Sequence, residues 1–167
     1  DVEETREFLA LAASSPLVAG VVGWADLTST DLINTLAELR AGAGGECLKG
    51  IRNLVQAEPD PDWLRRPDVL RGLRAVADAG LVYDLLTAPH QLPAAFECVR
   101  SLPELTFVLD HVSKPPIASG AIEPWAVRVA KISAFRSVPE AGHGTACAIC
   151  GRMPTYPSAG SRVMYSL

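Results

Sequence analysis

Hydrophobic residues in this chain fall into two alternating kinds of run. Val2 to Ala13 mixes Glu3, Glu4 and Arg6 with Phe8, Leu9 and Leu11, a helical composition that ends at Ser14-Ser15-Pro16. Leu17 to Ala25 is apolar throughout and predicts a strand buried on both faces, closing on Asp26. Asp31 to Arg40 predicts an amphipathic helix with Leu32, Ile33, Leu36 and Leu39 on one side and Thr28, Ser29 and Thr30 as candidate caps. Cys47 to Ile51 predicts a short strand closing on Arg52. A long connection follows from Asn53 to Arg66, of the kind that often carries function.

The same alternation continues. Asp68 to Ala79 predicts a helix with Val69, Leu70, Leu73, Val76 and Ala77 facing inward, and Gly80 is placed to end it. Leu81 to Tyr83 predicts a strand closing on Asp84, and Ala94 to Arg100 a helix. Leu105 to Leu109 predicts a fourth strand, closing on Asp110 and His111 before Pro115 and Pro116 break the chain. Apolar strands alternating with helices argue for a parallel sheet with helices outside it. The strand ends recur at a pitch of about 30 residues, that of successive βα units.

Composition narrows the function classes. The chain has 167 residues, 49% of them hydrophobic, enough for one core. With 20% charged residues, a net charge of −4 and no basic stretch, it predicts no nucleic-acid partner. No apolar run is long enough to span a bilayer and no signal peptide opens the chain, so no membrane partner is expected and the cytoplasm is the expected location. The start at Asp1 rather than Met leads us to expect a missing upstream segment. Cys47, Cys98, Cys147 and Cys150 are too few for a disulfide scaffold; Cys47 and Cys98 read as buried, reduced thiols.

All four predicted strands end on an ionisable residue: Asp26, Arg52, Asp84 and the pair Asp110-His111. In a parallel α/β sheet the site lies at those ends. An open doubly wound sheet and a closed (β/α) barrel both make such a rim. The first strand lacks the glycine-rich loop of nucleotide-binding open sheets, and a full barrel takes about 250 residues.

Several motifs, in order, resemble the amidohydrolase-related family in its sugar-lactonase and pyrone-dicarboxylate-lactonase branch. They are Gly20-Val21-Val22-Gly23-Trp24-Ala25-Asp26-Leu27, Gly50-Ile51-Arg52 with Gln56, Glu58-Pro59-Asp60-Pro61-Asp62-Trp63-Leu64, and Gly80-Leu81-Val82-Tyr83-Asp84-Leu85-Leu86. Phe107-Val108-Leu109-Asp110-His111-Val112-Ser113-Lys114-Pro115 and Glu123-Pro124-Trp125-Ala126 continue the series. The resemblance implies an α/β fold, an incomplete (β/α) TIM-type barrel holding about strands 2–5 of the family barrel. It covers residues 1–135 and leaves 136–167 as a divergent tail, expected to be poorly ordered.

The resemblance implies a hydrolase of cyclic esters, with a sugar lactone as substrate and, in the complete enzyme, a divalent metal such as zinc or manganese. His111 would polarise the carbonyl or bind that metal. Arg52 would bind a carboxylate or hydroxyl through its planar fork of donors; a structural ion pair with Asp84 or Asp26 is the plainer reading. Lys114 and His90 would contact substrate, or else sit in solvent. Asp84 and Asp26 would bind substrate or orient other groups, although strand-end aspartates often serve turns. Asp110 is expected to be structural, pointing away from His111 on a period of two. Trp24, Trp63 and Trp125 would supply core or pocket walls.

Two family features are missing. The first-strand His-x-His pair has no counterpart, because the histidines are only His90, His111 and His143. The last-strand aspartate is absent too; Arg162 to Leu167 resembles only its approach. Little or no activity is therefore expected from this chain alone. The rival expectation is a non-catalytic half-barrel module acting through homo-oligomers or a partner. In the tail, His143, Cys147 and Cys150 have zinc-ligand spacing without a fourth ligand.

Overall fold

A computed structural model describes residues 1–134 and the strand 163–166. Five parallel strands form one sheet: β1 (Val18–Gly23), β2 (Leu48–Asn53), β3 (Val82–Leu85), β4 (Phe107–Leu109) and β5 (Val163–Ser166). Their order across the sheet is β4-β3-β2-β1-β5. The first four are neighbours in chain order, as successive βα units require. Helices α1 (Val2–Ser14), α2 (Leu32–Ala41), α3 (Pro67–Asp78), α4 (Leu92–Ser101) and α5 (Trp125–Ala134) accompany them.

Register separates the two faces of the sheet. Ile51 lies opposite Tyr83, and Tyr83 opposite Phe107; two residues on, Asn53 pairs with Leu85 and Leu85 with Leu109. This face joins Val21 and the inner sides of the helices in a single core. Within it the rings of Tyr83 and Phe107 meet edge to face, 6.2 Å between centroids. On the alternate face Arg52 lies opposite Asp84, and Asp84 opposite Val108. Val22, Val82 and Val108 of that face stand outside the core cluster. Because strand side chains alternate with a period of two, charges on the second face leave the first one uncharged.

Each helix buries a stripe. α1 opens on a capping box of Asp1 and Glu4 and turns Thr5, Leu9 and Ala12 inward. The Thr5 hydroxyl accepts from the Trp24 amide at 2.8 Å and donates to the Trp24 carbonyl at 3.0 Å, locking the helix to the end of β1. α3 buries Val69, Gly72, Leu73 and Val76, leaving Leu70 and Ala77 half-buried, and ends at Asp78, capped by Ala79 with Gly80 at φ +65°. α4 buries Cys98, whose thiol is pushed up to about 12 by burial and so stays protonated and inert.

Three expectations need correction. Ile33 does not share the inward side of α2; it is 70% exposed while Leu32, Leu36 and Leu39 are buried. The helix starts at Leu32, and its position one residue along rotates Ile33 away from the sheet. Cys47 is half-buried rather than buried. Arg52 and Asp84 lie inside their strands rather than just past them, which is why they can pair laterally. The connection from Asn53 to Arg66 coils into two 3₁₀ turns, Val55–Ala57 and Trp63–Arg65, pinned by buried Trp63 and Leu64, so Trp63 is a core residue.

Candidate active site

The C-terminal ends of β2, β3 and β4 bring Arg52, Asp84, Asp110 and His111 together. The Arg52 guanidinium donates through Nη1 to Asp110 Oδ2 at 2.8 Å. Both side chains are largely shielded, at 11% and 21% exposure, so screening by solvent is weak. Asp110 is therefore the ion-pair partner of Arg52, in place of Asp84 or Asp26. Asp84 is buried beside them. Burial first, then the like charge of Asp110, raises its carboxyl to about 6, with Arg52 pulling it down. The Arg52 Nε–H is buried and has no hydrogen-bond partner, as is the Gln56 Oε1 atom in the turn after β2. Such groups are costly to leave unpaired.

His111 departs from the expected alternation. Its Nε2 lies 3.7 Å from Asp110 Oδ1, so the two consecutive side chains share one rim. The cause is the backbone. β4 stops at Leu109, and His111, Val112, Ser113 and Lys114 all take left-handed φ values between 48° and 52°. None is glycine. Left-handed backbone costs an L-residue roughly 1–2 kcal/mol, and a β-branched residue such as Val112 is an outlier there. Strain of this kind persists where its surroundings over-determine it, and such places cluster at functional sites.

Other expected site residues lie closer to solvent. Asp26 is exposed, and its Oδ1 accepts from the Thr28 amide at 2.9 Å and the Thr28 hydroxyl at 2.7 Å, an Asx-type turn. His90 is exposed in the 3₁₀ turn Pro89–Gln91, and Lys114 is exposed at the end of the left-handed turn. The expected caps Thr28 and Ser29 act in that first loop instead: Ser29 Oγ accepts from the Asp31 amide at 3.1 Å. Gln56, Thr87, Ser113 and the Trp125 indole are parts of the site region that the strand-end pattern did not single out. The quoted family motifs contained all but Thr87, and nothing in a one-dimensional pattern marks a buried hydroxyl pair.

A parallel sheet with one helix-packed face, and charges gathered at the strand ends of the other, defines a (β/α)-barrel protein with its polar site on the C-terminal rim. The family profile described as Amidohydrolase matches residues 2–148. An L-fucono-1,5-lactonase of Burkholderia ambifaria is 39% identical over 136 residues, covering 81% of this chain and 46% of its own length. An L-fucono-1,5-lactonase of Burkholderia multivorans is 31% identical over 142 residues, covering 81% and 47%. A crystal structure of an amidohydrolase from Burkholderia multivorans with bound zinc superposes with a TM-score of 0.72 at 31% identity, over 79% of this chain and 46% of that one. The chain belongs to the amidohydrolase family and has the fold of an incomplete (β/α) barrel. It spans about half the length of the relatives it matches.

The zinc in that relative raises the question of fit. Among the described residues no group of three or more His, Cys, Asp or Glu side chains converges on a point where an ion could sit. At the rim, the Asp110 carboxylate is already paired with the Arg52 guanidinium, a cation that stands where a metal ion would. The described residues therefore do not fit a metal site. His143, Cys147 and Cys150 lie outside them. No helix among the described residues is long and apolar enough to cross a membrane.

Proposed function

We propose that this chain supplies the substrate-binding rim of a hydrolase that opens sugar lactones. The observation that carries the reading is the shielded Arg52–Asp110 pair with Asp84 beside it, set at the strand ends of a chain whose relatives are named L-fucono-1,5-lactonases. Asp110 fixes the plane of the Arg52 fork, whose remaining terminal donor gives to a lactone oxygen. His111 polarises the ester carbonyl from the rim. Lys114 and His90 meet the sugar hydroxyls, and Asp84 and Asp26 hold the surrounding groups.

In this reaction the oxygen of water adds to the lactone carbonyl carbon. The ring C–O bond then breaks, the ring oxygen leaves as a hydroxyl, and the hydroxy acid releases a proton. Donors at the rim stabilise the oxyanion that forms in between. Without a His-x-His pair or a last-strand aspartate, this chain alone turns over little. Its location on this reading is the cytoplasm.

The test joins this chain to the part of the Burkholderia ambifaria relative that it does not match. Acid release is then followed on a panel of sugar lactones, L-fucono-1,5-lactone included, and on open-chain esters. Hydrolysis confined to the lactones is the expected result. A folded joined protein that hydrolyses none of them, or only the open-chain esters, rules the reading out.

One observation favours a second reading, a non-catalytic module. β4 ends the sheet, and its outer edge has no strand partner among the described residues. Light scattering on the chain alone distinguishes the two: a monodisperse dimer supports the module.

A further inference from the structure

The left-handed turn after β4 is held by two hydrogen bonds that come from elsewhere in the chain. Ser113 Oγ and Thr87 Oγ1 share a bond of 2.7 Å, and both residues are fully buried. Thr87 follows β3 directly after Leu85 and Leu86, so this bond ties the turn to the strand that carries Asp84. From the other side the Trp125 indole, on the first residue of α5, donates Nε1–H to the Val112 carbonyl at 2.9 Å. Within the turn the Lys114 amide donates to the His111 carbonyl at 3.0 Å. Four successive left-handed non-glycine residues are thus fixed by one bond from below and one from the side.

The geometry has a consequence for His111. Were the chain to continue as an extended strand past Leu109, Asp110 and His111 would project from opposite faces of the sheet. Only the reversal of the backbone lets the His111 ring reach the rim that Arg52, Asp84 and Asp110 occupy. We propose that Thr87, Ser113 and Trp125 are positioning residues that hold His111 over the strand-end cluster through this strained turn. The inference rests on the reading of His111 as the group that polarises the substrate.

The test uses the full chain and follows the ring signals of His111 by two-dimensional NMR, with the exposed His90 as an internal reference. Thr87→Val removes the hydroxyl and keeps the shape. It is expected to move the His111 ring signals and the amide signals of residues 111–114 toward those of an unconstrained loop. Thr87→Ser restores the hydroxyl and is expected to restore the signals. Trp125→Phe, which removes the donor from the other side, is the second variant should Thr87→Val not fold. In the joined enzyme Thr87→Val is expected to lower kcat about tenfold with KM nearly unchanged. Unmoved His111 signals in both folded variants, or a Thr87→Ser that behaves like Thr87→Val, would overturn the proposal. The underlying reading fails separately: His111→Ala would then leave turnover of the joined enzyme unchanged, whatever the NMR signals show.

Discussion

Asp84 is a carboxyl buried against another carboxyl, and its titration connects the site to stability. In the unfolded chain an aspartate ionises near its ordinary value of about 3.9; in the folded chain Asp84 keeps its proton to about 6. Between those two values the native state holds a proton that the unfolded state has lost, so stability falls as pH rises through that window. The loss is complete above the folded value. Asp84→Asn, neutral at every pH, should therefore stabilise the chain at pH 8 by on the order of 2–3 kcal/mol and have almost no effect near pH 4. Urea unfolding at the two pH values measures it, and an equal effect at both would contradict the account. Asp110→Asn acts in the opposite sense. It leaves the shielded Arg52 guanidinium without its carboxylate and should cost about 2–3 kcal/mol in the same assay at pH 7. The four ionisable strand ends were legible in the sequence because apolar strands make any terminal charge conspicuous. Which charges meet was not: the Arg52 partner lies 58 residues away and is set by register across two strands.

At the scale of elements, close approach rather than helix propensity governs α3. A Cβ on Gly72 would stand 2.2 Å from the Leu27 carbonyl oxygen and 2.9 Å from Leu27 Cα, both backbone atoms that cannot rotate aside. Gly72→Ala gains up to about 1 kcal/mol in intrinsic helix preference. Pushing α3 off the loop after β1 costs about 1–3 kcal/mol. Net destabilisation is expected, seen as a lower Tm, and a raised Tm would show that the loop gives way freely. The helices and strands themselves follow from periodicity, and α1, α3 and β1 to β4 fall where the pattern predicts, within two or three residues. The left-handed turn does not follow from it. Nothing in His111-Val112-Ser113-Lys114 suggests positive φ, since glycine is the residue that normally adopts it. The reversal is imposed by Thr87 and Trp125, which lie 26 and 13 residues from their partners in the chain.

At the scale of the molecule, one face of the sheet is sealed by helices and the other carries the charged rim. That division follows from the strand register, and together with the left-handed turn after β4 it places Arg52, Asp84, Asp110 and His111 where barrel proteins keep their chemistry. Fold class was legible from the alternation of apolar strands and helices, and the lactonase resemblance from the strand-end motifs. The strained turn required the folded chain. The most direct measurement is kcat/KM for L-fucono-1,5-lactone in the joined enzyme, with Arg52 intact and as Arg52→Ala. Loss of a donor aimed at the reacting ester should lower it by about 10²–10³-fold. A folded Arg52→Ala enzyme that keeps kcat/KM within a few-fold of its parent would contradict the claim that this rim is where the lactone binds.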